Sequence, residues 1–263
     1  MEFKKVQSLY VYINNIPIKS KYKIAGFDWD HTIVKPKTTI HPKNKDDWVL
    51  CFNTIIEKFN QLVLDDYIIV IFSNQSSIDK PHRNDIILNR IYNIFNTIPI
   101  PNLFFISSND DINRKPNTGM WKYMENLLNK PIDLDNSFYV GDAGGREYPN
   151  KKSDFSYADR CFASNIGIVY KTPEEFFNDD FSINYNITNL LPFKQLKELK
   201  LIDRFNGPQI TNKSIPEIIL MVGYPSCGKS TFAKKYFVNN GYKYINQDLH
   251  KNKCVTMCKM YAK

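Results

Sequence analysis

Short apolar runs alternate with amphipathic stretches over roughly the first two thirds of the chain. The apolar runs predict strands at 9–13, 22–28, 67–72, 103–106, 137–140 and 166–169. Apolar residues at helical spacing predict helices at 46–64, 83–98, 118–129 and 173–178. Strands that alternate with helices favour a parallel sheet covered by helices on both faces. The pattern therefore predicts an α/β protein with a doubly wound, mostly parallel sheet.

A second unit is predicted towards the C-terminus. Residues 179–215 mix Asn and Pro with one short helical stretch, and we interpret them as a linker. The apolar run 218–222 predicts a further strand, which is followed by a glycine-containing loop and a helical pattern. We therefore expect a first domain at 1–178 and a partial α/β unit at 216–263.

Composition limits the class of protein. The 263 residues are 43% hydrophobic and 14% aromatic, which is enough for a packed core. No apolar run approaches the ~20 residues of a membrane span, and the N-terminus lacks the apolar core of a secretory signal. Five scattered cysteines without paired spacing indicate an intracellular, reducing compartment. We therefore expect no membrane partner and no disulfide or zinc framework.

The net charge of +8 is unevenly distributed. Residues 207–263 contain nine Lys against Glu217 and Asp248, a net charge of +7, which leaves +1 for residues 1–206. A basic excess of this kind suits a phosphate-rich partner. A solvated lysine-rich surface explains it equally well, so charge alone does not assign a partner.

Two aspartates, Asp28 and Asp30, stand at the end of the predicted strand 22–28. Their side chains point the same way because strand side chains repeat every two residues, and chemistry collects at the carboxyl ends of parallel strands. Two adjacent carboxylates repel each other unless a cation lies between them, and Mg²⁺ prefers such oxygen ligands. One carboxylate is then available as a nucleophile and the other as an acid or base. The alternative is a solvated Asp-x-Asp turn.

Polar residues follow three further predicted strands. Ser73 offers a hydroxyl to a phosphoryl oxygen, and Lys115, just before a helix, offers a cation to a phosphate and a nucleophile. Asp142 offers a second carboxylate to a metal, and Asp154 lies twelve residues further on. Each of these residues alone is common in turns or on surfaces. Their order after successive strands predicts phosphoryl transfer.

This order resembles the haloacid dehalogenase-type phosphatases, and in particular the phosphatase half of polynucleotide 5′-kinase/3′-phosphatases, which heal DNA ends. The motifs that carry the resemblance span nearly all of 9–178: Lys23-Ile-Ala-Gly-Phe-Asp28, Phe72-Ser-Asn-Gln75, Arg114-Lys-Pro, Gly119-Met-Trp121, Val140-Gly-Asp-Ala-Gly-Gly-Arg146, Lys151-Lys-Ser-Asp-Phe-Ser-Tyr-Ala-Asp-Arg160 and Thr172-Pro-Glu-Glu-Phe-Phe177. Trp29 and His31 stand where the family usually has Leu and Gly.

The resemblance implies catalytic roles for four residues. Asp28 attacks the phosphorus and forms an aspartyl-phosphate, while Asp30 protonates the leaving hydroxyl and then activates water. Ser73 and Lys115 stabilise the transferring phosphoryl group. A dianionic phosphate needs this neutralisation before a carboxylate can attack it.

The resemblance also implies a cofactor and a substrate. Mg²⁺ is held by Asp28, Asp142 and the backbone carbonyl of Asp30, with Asp154 as an outer acidic residue. The expected substrate is a 3′-phosphate at a DNA end, with RNA ends left open, and the expected state is a monomer.

A second motif, Gly223-Tyr-Pro-Ser-Cys-Gly228-Lys-Ser230, has the spacing of a P-loop between a strand and a helix. Lys229 and Ser230 would bind the phosphates and Mg²⁺ of ATP. By resemblance, the next strand ends in Asp248, the base that deprotonates a 5′-hydroxyl. The unit is shorter than the roughly five to six strands of an ordinary sheet. We therefore expect a truncated kinase unit without 5′-kinase activity.

Two other functions remain open from the sequence. Small-molecule phosphatases of the histidinol-phosphate or heptose-bisphosphate type share the Asp-x-Asp core but usually carry a Cys/His zinc loop. Residues 76–114 contain no Cys and one His, which counts against that type. The third function is a non-catalytic module that binds DNA ends. Four basic residues flank the predicted metal ligands, either to contact a nucleic-acid backbone or to balance acidic charge: Arg146, Lys151, Lys152 and Arg160.

Overall fold

The structure is a computed structural model that describes residues 2–37, 42–149, 152–182, 185–187, 217–224 and 227–261. The chain separates into two compact units, residues 1–199 and 200–263, and each is described by itself. The predicted linker 179–215 lies largely outside the described residues. Its boundaries therefore stay predictions.

The first unit is built on a seven-stranded sheet. In chain order the strands of this unit are β1 (Lys4–Val6), β2 (Leu9–Ile13), β3 (Lys23–Phe27), β4 (Val34–Lys35), β5 (Val49–Leu50), β6 (Tyr67–Asn74), β7 (Leu103–Ser107), β8 (Phe138–Val140), β9 (Arg146–Glu147), β10 (Val169–Lys171) and β11 (Asn186–Ile187). The sheet order is β1-β2-β7-β6-β3-β8-β10. Strands β7, β6, β3, β8 and β10 run parallel, and β2 and β1 pair antiparallel at one edge. The predicted, mostly parallel α/β sheet is confirmed.

Helices cover both faces of this sheet. They are α1 (Ile55–Leu64), α2 (Arg83–Ile94), α3 (Gly119–Leu128), α4 (Ala158–Ile166) and α5 (Pro173–Phe177). Alternate residues of each parallel strand enter opposite cores, so Phe27 packs with α1, α2 and α5, whereas Ile24 packs with α3 and α4. Within the described part of the chain, no helix has the length and apolar character needed to cross a bilayer.

The predicted helix at 46–64 is wrong in its first half. Val49–Leu50 pairs with Val34–Lys35 in a short antiparallel ribbon, and the helix begins only at Ile55. The amide of Cys51 donates to the carbonyl oxygen of Ile33 at 2.9 Å, so the ribbon satisfies backbone groups that a helix would otherwise bond internally.

The last strand of the sheet begins later than predicted. Residues 158–166 form α4, which the pattern of apolar residues did not predict, and the strand occupies Val169–Lys171 rather than 166–169. Gly167 ends α4 with a φ of 91°, a left-handed conformation that glycine adopts without steric cost. This helix end displaces the strand towards the C-terminus.

The second unit contains α6 (Lys229–Tyr236), α7 (Gln247–His250) and α8 (Cys254–Tyr261). The predicted strand 218–222 is wrong: these residues pair with no strand among those that the structure describes. A strand needs a neighbour to receive its ladder hydrogen bonds. Without one, Ile218, Leu220 and Val222 stay 69%, 82% and 84% exposed.

The predicted strand that ends at Asp248 is also wrong. Asp248 lies in the short helix α7, and its amide donates to the side-chain oxygen of Asn246 at 2.7 Å. Asn is a strong helix N-cap because its side chain satisfies a free amide of the first turn. This local bond favours the start of a helix over a strand at 244–248.

Candidate active site

Three neighbouring parallel strands end at the same edge of the sheet. Because β3 lies between β6 and β8, Asp28, Ser73 and Asp142 come together there. The backbone amide of Asp28 donates to the carbonyl oxygen of Val140 at 2.8 Å, which continues the pairing of the strands into the site. A cavity of about 610 Å³ opens at this edge, and Lys115 lines it as well.

The residues of the Asp-Trp-Asp motif alternate between cavity and core. Asp28 and Asp30 line the cavity, whereas Trp29 is 1% exposed. The Trp29 ring lies 5.0 Å from the ring of Phe104 and 6.4 Å from that of Phe95. The tryptophan therefore fills a core position, and the period of two predicted for this segment holds.

Lys115 connects several acidic and polar groups beneath the cavity. Its Nζ donates to Asp28 Oδ1 at 2.6 Å, to Asp159 Oδ1 at 2.8 Å and to the Tyr139 hydroxyl at 2.7 Å. Asn74 holds the Lys115 backbone by two hydrogen bonds of 3.0 Å. Burial lowers the pKa of Lys115, but Asp159 and Asp28 outweigh burial and raise the pKa overall. The ammonium group therefore stays charged next to Asp28.

Asp159 is a site residue that sequence reasoning missed. It lies in the first turn of α4, is 2% exposed, and its Oδ2 accepts from the amide of Ala143 at 3.0 Å. A Cβ on Gly141 would lie 2.4 Å from the Asp159 carboxyl, so only glycine lets this carboxylate approach Lys115. The available signal was its place in the motif 151–160, to which the sequence analysis assigned no role for Asp159.

Asp142 is held by Thr32, a second residue not predicted from the sequence. The Asp142 amide donates to Thr32 Oγ1 at 3.0 Å, and that hydroxyl lies 3.3 Å from Asp142 Oδ1. Thr32 is fully buried and stands one residue after His31 in the loop that follows Asp30. The loop therefore orients Asp142 as well as carrying the Asp-x-Asp motif.

Carboxylate oxygens of Asp28, Asp142 and Asp159 lie within 4.8 Å of one another. Burial raises the pKa of Asp28 to about 7, with Lys115 opposing and Asp159 adding to the shift. Burial and then Asp28 raise the pKa of Asp142 to about 8. Lys115 Nζ bonds to Asp28 and Asp159 but to no oxygen of Asp142, and a cation among the three carboxylates would relieve the repulsion between them. The donor set fits a hard divalent cation such as Mg²⁺.

Asp154 lies outside this cluster of three carboxylates, and its role as an outer acidic residue stays a prediction. Its Oδ2 accepts from Arg146 Nε at 2.8 Å and from the amides of Gly144 and Arg146 at 3.1 Å. These bonds direct the carboxylate into its own loop. Arg146 is buried and also donates to Glu174 at 2.8 Å, which fits the alternative that it balances acidic charge. Lys151 lies outside the described residues, and Lys152 is exposed.

The Asp30 carboxylate lies beside the cluster and has its own partners. Arg90 Nη1 donates to Asp30 Oδ1 at 2.9 Å, and Gln75 Nε2 donates to Asp30 Oδ2. The same amide nitrogen of Gln75 lies 3.0 Å from Ser73 Oγ. Arg90 was not predicted from the sequence. The two predicted aspartates therefore have different partners: Asp28 pairs with Lys115, and Asp30 pairs with Arg90.

The predicted P-loop residues lie in the second unit, where residues 225 and 226 fall outside the described part. Helix α6 begins at Lys229 after Gly228, whose φ is 89°. Lys229 Nζ donates to the carbonyl oxygens of Gly223 and Tyr224 at 2.7 and 2.6 Å, while Ser230 is exposed. The helix start is as predicted for such a loop, and its binding of ATP stays a prediction.

Comparison with known proteins adds the following findings. The family model described as polynucleotide kinase 3 phosphatase matches residues 23–177. A bifunctional polynucleotide phosphatase/kinase of Schizosaccharomyces pombe is 35% identical over 243 residues, which are 90% of this chain and 57% of that protein. A polynucleotide 3′-phosphatase of Arabidopsis thaliana is 37% identical over 59% of this chain and 24% of its own length.

The solved structure of a D,D-heptose 1,7-bisphosphate phosphatase from B. bronchiseptica matches with a TM-score of 0.43 at 16% identity. The match covers 63% of this chain and 90% of that one. A structural similarity this low assigns no function to the chain. The chain spans 57% and 63% of the length of two bifunctional relatives.

Proposed function

The chain belongs to the polynucleotide kinase 3 phosphatase family, and we propose that its first unit is a Mg²⁺-dependent phosphatase that removes 3′-phosphates from DNA ends. The observation that carries the proposal is the buried contact of Lys115 with Asp28, beneath a cavity lined by Asp30, Ser73 and Asp142. These residue types in this arrangement suit attack on a phosphate monoester. A role in DNA end repair follows as part of the same proposal.

In the first step, a carboxylate oxygen of Asp28 attacks the phosphorus, and the bond from phosphorus to the 3′-oxygen breaks. Lys115 neutralises charge on the nucleophile and on the transferring group, because its ammonium is fixed 2.6 Å from Asp28 Oδ1. Ser73 offers its hydroxyl to a phosphoryl oxygen from the end of the neighbouring strand. The product of this step is an aspartyl-phosphate.

Asp30 moves the protons in both steps. Its carboxyl group donates a proton to the leaving 3′-oxygen, so that the polynucleotide departs with a hydroxyl. The resulting carboxylate then accepts a proton from water, whose oxygen attacks the phosphorus of the aspartyl-phosphate. Inorganic phosphate leaves, and Asp28 and Asp30 return to their starting states.

Asp28 and Asp142 are the side chains that would hold Mg²⁺, with the backbone carbonyl of Asp30 as the third protein ligand. Asp159 is not assigned as a ligand, because its two oxygens already accept from Lys115 and from the Ala143 amide. When bound, the ion supplies positive charge that offsets the repulsion between the phosphate and the carboxylates.

Two exposed aromatic residues support a polynucleotide as the substrate. Phe155 and Tyr157 line the cavity, yet 80% of Phe155 and 51% of Tyr157 are exposed. Aromatic faces beside a phosphate site stack on bases of any sequence. A sugar phosphate offers no such ring to cover them. The names of the relatives support the same substrate class, and they leave DNA against RNA open.

The test offers one protein preparation four substrates with Mg²⁺: 3′-phosphoryl DNA, 3′-phosphoryl RNA, histidinol phosphate and heptose bisphosphate. We expect phosphate release from the oligonucleotides at a kcat/KM well above that for the small esters. A preference for a small ester would overturn the proposal in favour of the small-molecule type. Binding of 3′-phosphoryl DNA without any phosphate release would favour the non-catalytic module.

We also propose ATP as the ligand of the loop that ends at Lys229 and Ser230. The support is the start of α6 directly after Gly228, which directs free amide groups of the first turn towards the loop. Titration of the chain with a fluorescent ATP analogue tests this, with Lys229→Ala as the control. A monomeric state and a reducing intracellular compartment stay predictions.

A further inference from the structure

Arg90 occupies a position that the helical pattern reserves for an apolar side chain. The buried residues of α2 are Ile87, Arg90, Ile91 and Ile94, which form one stripe at helical spacing. The side chain of Arg90 is 3% exposed. A charged residue on such a stripe loses its hydration and needs a specific partner.

The partner is the second aspartate of the Asp-Trp-Asp motif. Arg90 Nη1 donates to Asp30 Oδ1 at 2.9 Å, and the Asp30 side chain is 30% exposed to the cavity. Gln75 Nε2 donates to Asp30 Oδ2. Each oxygen of this carboxylate therefore has its own side-chain donor, and together the two donors fix the plane of the carboxylate.

Arg90 is not explained by its other acidic neighbour. The pKa of the Asp47 carboxyl is lowered mainly by its hydrogen bond with the Lys43 backbone amide. The positive charge of Arg90 lies near enough to make a smaller contribution. Yet the two oxygens of Asp47 accept from the amides of Lys37 and Lys43 at 2.9 and 3.0 Å. No hydrogen bond or ion pair joins Arg90 to Asp47 among the described residues.

Stability does not explain Arg90 either. Its Nε and Nη2 are buried without a hydrogen-bond partner in the described part of the chain. Buried polar groups that lack partners destabilise a fold, and an apolar residue of similar size often does better at such a position. The guanidinium is therefore held in the core at a cost, with Asp30 as its one hydrogen-bonded acid.

We propose that Arg90 is a positioning residue that holds the Asp30 carboxylate in line with the leaving 3′-oxygen. The inference rests on the proposed function, in which Asp30 moves the proton in each step. A proton is transferred efficiently only from a group held within hydrogen-bond distance of the reacting oxygen. Without Arg90, the carboxylate keeps only Gln75 and rotates away from the leaving group.

The experiment compares leaving groups. In Arg90→Met, we expect the rate of phosphoenzyme formation from the oligonucleotide and from a small alkyl phosphate to fall about 100-fold. The burst of p-nitrophenolate from p-nitrophenyl phosphate should stay within threefold of wild type, because this leaving group departs without a proton. Equal losses on alkyl and aryl esters would show a merely structural role, and unchanged alkyl rates would also overturn the proposal.

Two further variants keep the comparison sharp. Arg90→Lys retains a cation but replaces the planar guanidinium with one ammonium nitrogen, so we expect an intermediate loss of about tenfold, on alkyl esters alone. Arg83→Met removes the same charge from the first turn of α2, where the Arg83 side chain donates to the Pro42 carbonyl oxygen and to no other group among the described residues, and should leave both esters unaffected. A loss on alkyl esters in Arg83→Met as large as in Arg90→Met would overturn the assignment to Arg90.

A crystal structure of Arg90→Met gives a readout that does not depend on turnover. We expect the Asp30 carboxylate to leave the orientation that it has in wild type, while Asp28 and Lys115 keep their contact. An Asp30 carboxylate in its wild-type orientation would overturn the proposal even if the chain hydrolysed no phosphate ester. Conversely, hydrolysis of small alkyl esters but not of oligonucleotides would reject the polynucleotide substrate and leave the test of Arg90 intact.

Discussion

Asp28 and Lys229 belong to two motifs that look equally strong in the sequence, and the structure treats them differently. Asp28 follows β3, which has a parallel neighbour on each side, and those neighbours bring Ser73 and Asp142 to the same edge. Lys229 follows an apolar run that pairs with no strand among the described residues, and its Nζ bonds to carbonyls of its own loop. A motif specifies the chemistry of a ligand, whereas neighbouring strands supply the remaining residues of a site.

The difference extends to electrostatics. At the Asp28 edge, burial and then neighbouring carboxylates raise the pKa values of Asp28 and Asp142 to about 7 and about 8. Such shifts mark sites where charge is concentrated away from water. In the second unit the apolar side chains of the predicted strand are exposed instead. Five predictions test this contrast, starting with the largest effect.

Replacing the nucleophile should have the largest effect. Asp28→Asn should reduce phosphate release from 3′-phosphoryl DNA by about 10⁴-fold or more, because an amide cannot attack phosphorus. The fold should persist, since the change is nearly isosteric and Lys115 keeps Asp159 as a partner. A phosphate-release assay with circular dichroism measures both. Asp66→Asn, an exposed matched change, should behave as wild type. Wild-type turnover in Asp28→Asn would reject the mechanism.

Removing a metal ligand should come next. Asp142→Ala should lower kcat/KM by about 10³-fold at a fixed Mg²⁺ concentration, since loss of the ion leaves the carboxylates to repel the phosphate. Titration with Mg²⁺ measures the expected rise in the concentration that gives half-maximal activity. EDTA should silence the wild-type chain, and full activity in excess chelator would exclude the metal role.

The third prediction concerns the carboxylate that the sequence did not reveal. Asp159→Asn should lower kcat by about 10–100-fold, because Lys115 loses the acid that orients it opposite Asp28. KM for the oligonucleotide should change little, since Asp159 is only 2% exposed. Asp154→Asn is the comparison variant: among the described residues its carboxylate bonds to Gly144 and Arg146 in its own loop, so a smaller loss of kcat is expected. Equal losses of kcat in the two variants would contradict the role of Asp159 in orienting Lys115.

Asp159 and Arg90 show why part of the site could not be predicted from the sequence. The runs that became β2, β3, β6, β7 and β8 were predictable because apolar strands ending in polar residues have few alternatives. The helix α4 was not, because Asp159 is one of its buried positions and interrupts the apolar stripe. Arg90 also takes a buried position in α2, a helix that the apolar pattern did predict, and the role of this charge was not predicted.

In both cases a charged residue takes a core position because it pairs with a charge distant in sequence. Lys115 is 44 residues from Asp159, and Asp30 is 60 residues from Arg90. Local periodicity cannot show such a pairing. The positions of Asp28, Asp30 and Lys115 at one cavity were predictable from motifs, whereas the residues that hold them there needed the tertiary structure.

The fourth prediction uses the raised pKa values to relate stability to pH. Between about pH 4 and pH 8, folded Asp28 and Asp142 bind more protons than they do in the unfolded chain. Stability without metal should therefore fall as pH rises through this window. Mg²⁺ replaces those protons, so it should raise the Tm by several degrees at pH 8 and much less at pH 5. Thermal unfolding with and without Mg²⁺ at both values measures this.

The control for this pH prediction is Asp28→Asn combined with Asp142→Asn. The double variant should lose most of the decline between pH 5 and pH 8, and most of the stabilisation by Mg²⁺. Lys115 does not disturb the window, because its raised pKa places its own titration above it. An equal Mg²⁺ effect at both pH values, retained in the double variant, would locate the ion elsewhere.

The smallest effect is expected at the second motif, and it is the sharpest test of the contrast between the two motifs. Lys229→Ala should change phosphate release from 3′-phosphoryl DNA by less than about twofold, because a surface substitution outside the reacting groups costs little. The Nζ of Lys229 bonds to Gly223 and Tyr224 within its own loop, and no proposed step of 3′-phosphate removal uses it.

Transfer of labelled γ-phosphate from ATP to a 5′-hydroxyl oligonucleotide should be undetectable in wild type and in Lys229→Ala alike. The described residues that precede the loop form no sheet that could hold two substrates in line. Transfer by wild type that disappears in Lys229→Ala would show that the loop supports catalysis without the neighbouring strands on which the Asp28 edge depends.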